Sequence, residues 1–85
     1  MSKSESIRVQ LDYPLEQVKE PIIYHLVTDY KLIPNIRRAN IDYHSGGMLV
    51  LQLEGDRDNL DAGIDFLRRL GITVTEVGVE PAWTV

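Results

Sequence analysis

The chain has 85 residues, 44% of them hydrophobic and 26% charged, with a formal net charge of −4, a composition that fits one globular domain and neither a disordered nor a multidomain chain. Nine Lys and Arg are dispersed among thirteen Asp and Glu, and cysteine is absent, which argues against a dedicated nucleic-acid surface and excludes disulfides and cysteine catalysis. No apolar run approaches the roughly 18 residues of a membrane span and residues 1–7 are polar rather than signal-like, so a soluble cytoplasmic protein without membrane insertion is expected.

Residues 1–5 carry no turn or helix signal and are expected to be disordered, ahead of a single domain over 6–79. Ile7, Val9 and Leu11 alternate with Arg8, Gln10 and Asp12, which predicts a first strand over 6–12, ended by Tyr13 and Pro14. Pro14 and Pro21 could each open the first helix. A start at Pro14 would place Pro21 in the helix interior at a cost of about 3 kcal/mol, so the helix is placed from Pro21. Ile22, Leu26 and Tyr30 then form one stripe with Ile23 and Val27 beside it.

After Pro34, Ala39, Ile41 and Tyr43 alternate with polar residues up to Gly46-Gly47, and Leu49, Leu51 and Leu53 alternate beyond it. This is the clearest pattern in the chain, and it predicts a hairpin of two half-buried strands. Asp56 or Asp58 can cap the second helix with its carboxylate, Leu60, Ile64 and Leu67 give its buried stripe, and Gly71 ends it in a left-handed conformation. A last strand follows over 72–77, broken by Gly78, and residues 80–85 with Trp83 form a tail that either packs back or stays out.

The order β-α-β-β-α-β predicts an α+β, ferredoxin-like sandwich in which a four-stranded antiparallel sheet carries both helices on one face. By strict alternation the other face shows Arg8, Gln10 and Asp12, then Ile36, Arg38, Asn40 and Asp42, then Met48, Val50 and Gln52. Ile36, Met48 and Val50 are too apolar for a purely solvated surface, so Ile36, Arg38, Asn40, Met48 and Val50 are candidates for a partner or dimer face, with the edge of the second strand as another docking place.

Chemistry is sparse. His25 and His44 have no Cys, Asp or Glu at metal-ligand spacing, and Asp56, Asp58 and Asp61 fall where a helix start favours acids regardless of function. Gly46-Gly47 lacks the lysine and following helix of a phosphate loop. No catalytic residue, metal or cofactor is therefore expected, and an enzyme is the least favoured reading. Asn35 with Arg37-Arg38 is the one constellation suited to a small ligand, since an asparagine both donates and accepts and an arginine forks onto a carboxylate. Adjacent strand residues point to opposite faces, so one of the two arginines is expected to be a solvated edge charge.

Arg8-Val9-Gln10-Leu11, Pro21-Ile22-Ile23, Asn35-Ile36, Asn40-Ile41, Gly46-Gly47 with Leu49, Leu53 with Gly55, and Ile64, Leu67, Gly71, Val74, Val77 and Gly78 together resemble the NIL domain. That small ferredoxin-like module closes the ATPase subunit of bacterial methionine ABC transporters, lies beside iron–sulfur ferredoxin domains in other chains, and occurs alone. The resemblance covers residues 6–79 and implies a regulatory role. Paired NIL domains bind methionine at or near their mutual interface and restrain transport, and the motif asparagine, matching Asn35, is among the positions that contact ligand. Asn35, Ile36, Arg37 and Arg38 are the ligand-site residues it suggests. Arg37 stands where the family carries an aliphatic residue and Arg38 where a small one is common. The domain is expected to stand alone and to act on a separate protein. Two functions follow as expectations: a homodimeric sensor of an amino acid or related metabolite that modulates a partner, or a ligand-free protein–protein adaptor using the open sheet face or an edge strand.

Overall fold

The computed structural model describes residues 4–14, 21–42 and 44–78. The expectations for residues 1–3, the loop at 15–20, Tyr43 and the 79–85 segment with Trp83 lie outside these. The elements in order are β1 (Ser4–Tyr13), α1 (Ile22–Thr28), β2 (Ile33–Asp42), β3 (Gly46–Asp56), α2 (Arg57–Arg69) and β4 (Thr73–Gly78). The strands form one antiparallel sheet in the order β2-β3-β1-β4, the split βαβ arrangement expected from the element order.

Period-2 alternation in the two central strands drives the packing. Ile7, Val9 and Leu11 of β1 and Leu49, Leu51 and Leu53 of β3 are buried in one cluster with Ile22 and Leu26 of α1 and Leu60, Ile64 and Leu67 of α2. Both helices therefore cover the same face. Leu32 stands outside every periodic stripe, yet it is buried between the layers. A Cβ added to Gly55 would lie 2.6 Å from one of its methyl carbons, and a Cβ added to Gly63 would lie 2.8 Å from the other. These two glycines make the room that lets α2 settle onto the sheet over Leu32. Gly71 closes α2 with a φ of 87°, as expected.

Several boundaries differ from the sequence reading. Ser4 and Glu5, expected among disordered residues, pair with Asp56 and Gly55, and Arg57 holds Glu5 from across the sheet end at 2.8 Å. Gly78, expected to break the last strand, pairs with Arg8. Asp56 occupies the position before α2, but its carboxylate makes no capping bond, because β3 runs into the helix without a loop and Asp56 is still paired in the ladder. The first helix ends at Thr28, with Val27 on its exposed side and Tyr30 half-buried beyond its end against Phe66.

The largest departure lies in the sheet edges. Opposite Ile36 stands Leu51 and opposite Arg38 stands Val50, so Arg37 is an extra residue in β2. On the other edge Arg8 faces Gly78 and Val9 faces Glu76, so Val77 is extra in β4. Each is a β-bulge, and a bulge resets which side the following residues face.

Candidate functional site

Directly paired residues project to the same side of a sheet. The pairing of Leu53 with Pro34, Leu51 with Ile36, Leu49 with Ala39 and Gly47 with Ile41 places Ile36 on the helix side. This corrects the alternation, which had put Ile36 on the opposite face together with Arg38. Asn35 faces Gln52, Arg38 faces Val50 and Asn40 faces Met48, so the bulge puts Asn35, Arg38 and Asn40 together on the open side. On that side Arg8 and Gln10 of β1 stand beside Gln52 and Val50.

Asn35, Gln52 and Arg8 thus lie abreast across β2, β3 and β1. Gln52 is only 3% exposed although no helix covers this face. Its Nε2 donates to Ser6 Oγ at 2.6 Å, while its Oε1 is buried without a hydrogen-bond partner. A buried amide oxygen left this way costs stability, and it stays ready to accept from a ligand. One row along the strands, Arg8, Arg37, Arg38, Val50 and Val77 line a cavity of about 380 Å³. Both bulged residues, Arg37 and Val77, are in that lining. Adjacent strand residues ordinarily point to opposite faces, and Arg37 and Arg38 both line this cavity because a bulge interrupts strict alternation at Arg37.

Of the residues singled out in the sequence, Asn35, Arg37 and Arg38 gather on this face and Ile36 turns away from it. Met48 and Asn40 line a separate hollow at the hairpin, with Asp42, Ser45 and the two glycines. Arg8, Gln52 and Val77 were missed as site residues. Alternation put Arg8 and Gln52 on the right face, but nothing local says that they come to stand beside Asn35, and Val77 arrives only through its bulge.

Several other polar groups have structural partners. His25 Nδ1 lies 2.9 Å from Asp29 Oδ2, and its ring packs edge-on against Tyr24 and Phe66. Asp42 Oδ1 accepts from the His44 backbone N–H at the hairpin turn. Arg57 is made still more basic by its hydrogen bonds to Glu5 and then Asp61. Burial pushes the Tyr13 phenol above its ordinary range. Among the described residues, no group of three His, Cys, Asp or Glu is placed to hold a metal ion, and no helix is long and apolar enough to cross a membrane.

The second edge feature is apolar. Ile33 and Ile36 of β2 are each 57% exposed and Ile41 43%. Seven residues of α1 span about 10 Å, whereas the ten residues of β2 extend over about 33 Å. The helix is too short to cover the whole length of the strand.

Comparison with known proteins places these features in context. The NIL domain family model matches residues 7–76. The methionine import ATP-binding protein MetN 2 of Enterococcus faecalis (strain ATCC 700802 / V583) is 36% identical over 75 residues, which are 85% of this chain and 22% of that protein. The chain thus spans under a quarter of the length of that curated relative. A crystal structure of the C-terminal domain of an ABC transporter / ATP-binding protein from Enterococcus faecalis superposes with a TM-score of 0.75 at 35% identity, over 87% of this chain and 86% of that one.

Proposed function

Since the chain belongs to the NIL domain family, we propose that it is a regulatory module, not a catalyst, that binds an amino acid or a related metabolite on the open face of its sheet and modulates a cytoplasmic partner. Methionine is the starting candidate, because the relative over which similarity is found is by name a methionine import ATP-binding protein. An ATPase of that kind is the class of partner this reading favours.

The observation that carries the reading is the row of Asn35, Gln52 and Arg8, with one buried amide oxygen in its middle still lacking a donor. An amino acid needs acceptors for its ammonium group and donors for its carboxylate. Gln52 Oε1 and the Asn35 amide supply the first, and a guanidinium, that of Arg38 in the neighbouring Arg38–Val50 pair, supplies the second. The uncovered isoleucines of β2 support pairing with a second copy beside this row, since an apolar edge strand is a ready interface.

Thermal denaturation with methionine and a panel of amino acids tests the proposal. A ligand at 100 times its Kd adds about 2.7 kcal/mol, which in a domain of this size raises the midpoint by on the order of 10–20 °C. Asn35→Ala should remove that rise and leave the unliganded midpoint unchanged. A flat response across the panel contradicts ligand binding. It would favour the second reading, a ligand-free adaptor docking through Ile33, Ile36 and Ile41. Light scattering at micromolar concentration separates the assembly question: a dimer is expected, and a monomer would remove the pocket shared between copies.

A further inference from the structure

We infer that Glu54 binds the ligand's ammonium group together with Gln52 Oε1, so that this face selects ligands carrying a free, positively charged amine. The inference rests on the proposed ligand-binding role and assigns one end of that site.

Ladder positions put Glu54 on the open side. It pairs with Ser6 of β1 and with Ile33 of β2, one step along the strands from the row of Asn35, Gln52 and Arg8, and directly paired residues share a face. Glu54 and Gln52 are two residues apart on β3, so their side chains rise side by side about 7 Å apart. Glutamate is depleted in strands, yet this one occupies a central strand, between β2 and β1, and is half-buried there.

Its charge has no counter-ion. Among the described residues Glu54 takes part in no ion pair and no side-chain hydrogen bond. Glu5 makes the contrast: it pairs with Gly55 on the other side of the sheet, where Arg57 holds its carboxylate at 2.8 Å. A carboxylate that is partly withdrawn from water without a partner carries a cost, and a bound cation removes it.

The neighbouring amide points to the same ligand group. Gln52 is 3% exposed and its Oε1 has no hydrogen-bond partner. Ser6 Oγ accepts from Gln52 Nε2 at 2.6 Å, which spends the donor end of the amide inside the protein and leaves the acceptor end to the site. Arg8 stands directly opposite Gln52 and carries donors only, so a reversed amide would bring N–H groups toward N–H groups. The buried amide and the half-buried carboxylate therefore both offer oxygen. An ammonium group supplies three donors and a full positive charge to meet them. Arg38, in the next pair on the far side of the row, takes the ligand's carboxylate, so the amino acid lies along the strands with its amine toward Glu54.

Isothermal titration calorimetry of the full chain with three probes tests this: methionine; 4-(methylthio)butanoate, which lacks the amine; and methioninol, which lacks the carboxylate and keeps the amine. If another amino acid of the panel binds more tightly than methionine, that acid and its two analogues take their place. Loss of a hydrogen-bonded charge weakens binding by about tenfold or more, and the acid without the amine should fall below methionine by that factor. Glu54→Gln keeps the shape and removes the charge. It should weaken methionine and methioninol by a similar factor, leave 4-(methylthio)butanoate where it was, and leave the unliganded denaturation midpoint in place. Ser6→Ala, which frees the Gln52 amide, should narrow the preference for the amine, and Ser6→Thr should keep it. Asp65→Asn, at an exposed pair on α2, should alter none of these. Equal binding of methionine and 4-(methylthio)butanoate by the parent chain overturns the inference and leaves the ligand-binding reading standing. So does a Glu54→Gln variant that binds methionine as the parent does, or one that weakens all three probes alike. If no amino acid of the panel binds, that reading fails, and this inference with it.

Discussion

Leu51 and Gln52 are neighbours on the same central strand, 0% and 3% exposed, yet they are buried for different reasons. Leu51 lies on the side of the two helices, in an apolar cluster built from every strand but β2 together with both helices. Gln52 faces the side without helices, shielded in a row with Arg8 and Asn35 and with half of its amide lacking a partner. One side of the sheet is closed by packing, and the other holds polar atoms out of water without satisfying them all. Stability is concentrated on the first side. Capacity for recognition is concentrated on the second, because a buried acceptor awaiting a donor is a cost in the empty protein that a ligand removes.

The sharpest way to break this contrast is to exchange the two kinds of burial. Leu51→Ala should destabilise by about 2–5 kcal/mol, the range for truncating a leucine in a core that cannot collapse around the loss, as read by urea denaturation. On the same side, Gly63→Ala should cost about 1–2 kcal/mol, because the new Cβ would lie 2.8 Å from a Leu32 methyl in a packed layer. Combined with Leu32→Ala, the same change should become neutral or favourable, since alanine is the better helix former by about 1 kcal/mol. An unaltered cost in the double variant would show that Leu32 is not what the glycine accommodates.

On the open side the expected effects are smaller. Gln52→Leu removes one hydrogen bond to Ser6 and one stranded oxygen, two changes that oppose each other, so stability should stay within about 1 kcal/mol of the parent. A loss as large as that of Leu51→Ala would mean that both faces are structural. The smallest effect concerns alkaline pH. Tyr13 is buried and its phenol is shifted upward, so the neutral form is favoured in the folded state. Its contribution is fully present below the ordinary phenol range near pH 10 and is lost as pH rises through the higher folded value. Tyr13→Phe should flatten that alkaline decline.

The sequence carried the helix side almost completely. Leu60, Ile64 and Leu67 at helical spacing and the alternating leucines of the hairpin each declare a buried face through local period alone. Leu32 escaped because a single residue between two elements has no period. The open side was legible in composition and not in placement. Asn35, Arg37 and Arg38 were visible as residue types suited to a ligand, but alternation assigned Ile36 to the open face with Arg38 and separated the two arginines. A bulge depends on how a strand registers with its partner, and neither Arg37 nor Val77 carries a local mark of it. Arg8 and Gln52 could be assigned a face but not a neighbour, for the same reason.

An amide-resolved NMR titration with methionine bears most directly on the division between the two faces. The account predicts shifts concentrated at Asn35, Arg38, Val50 and Gln52, with the buried face of α2 at Leu60, Ile64 and Leu67 unmoved. Shifts centred on α2, with the Asn35–Gln52 row silent, would contradict it.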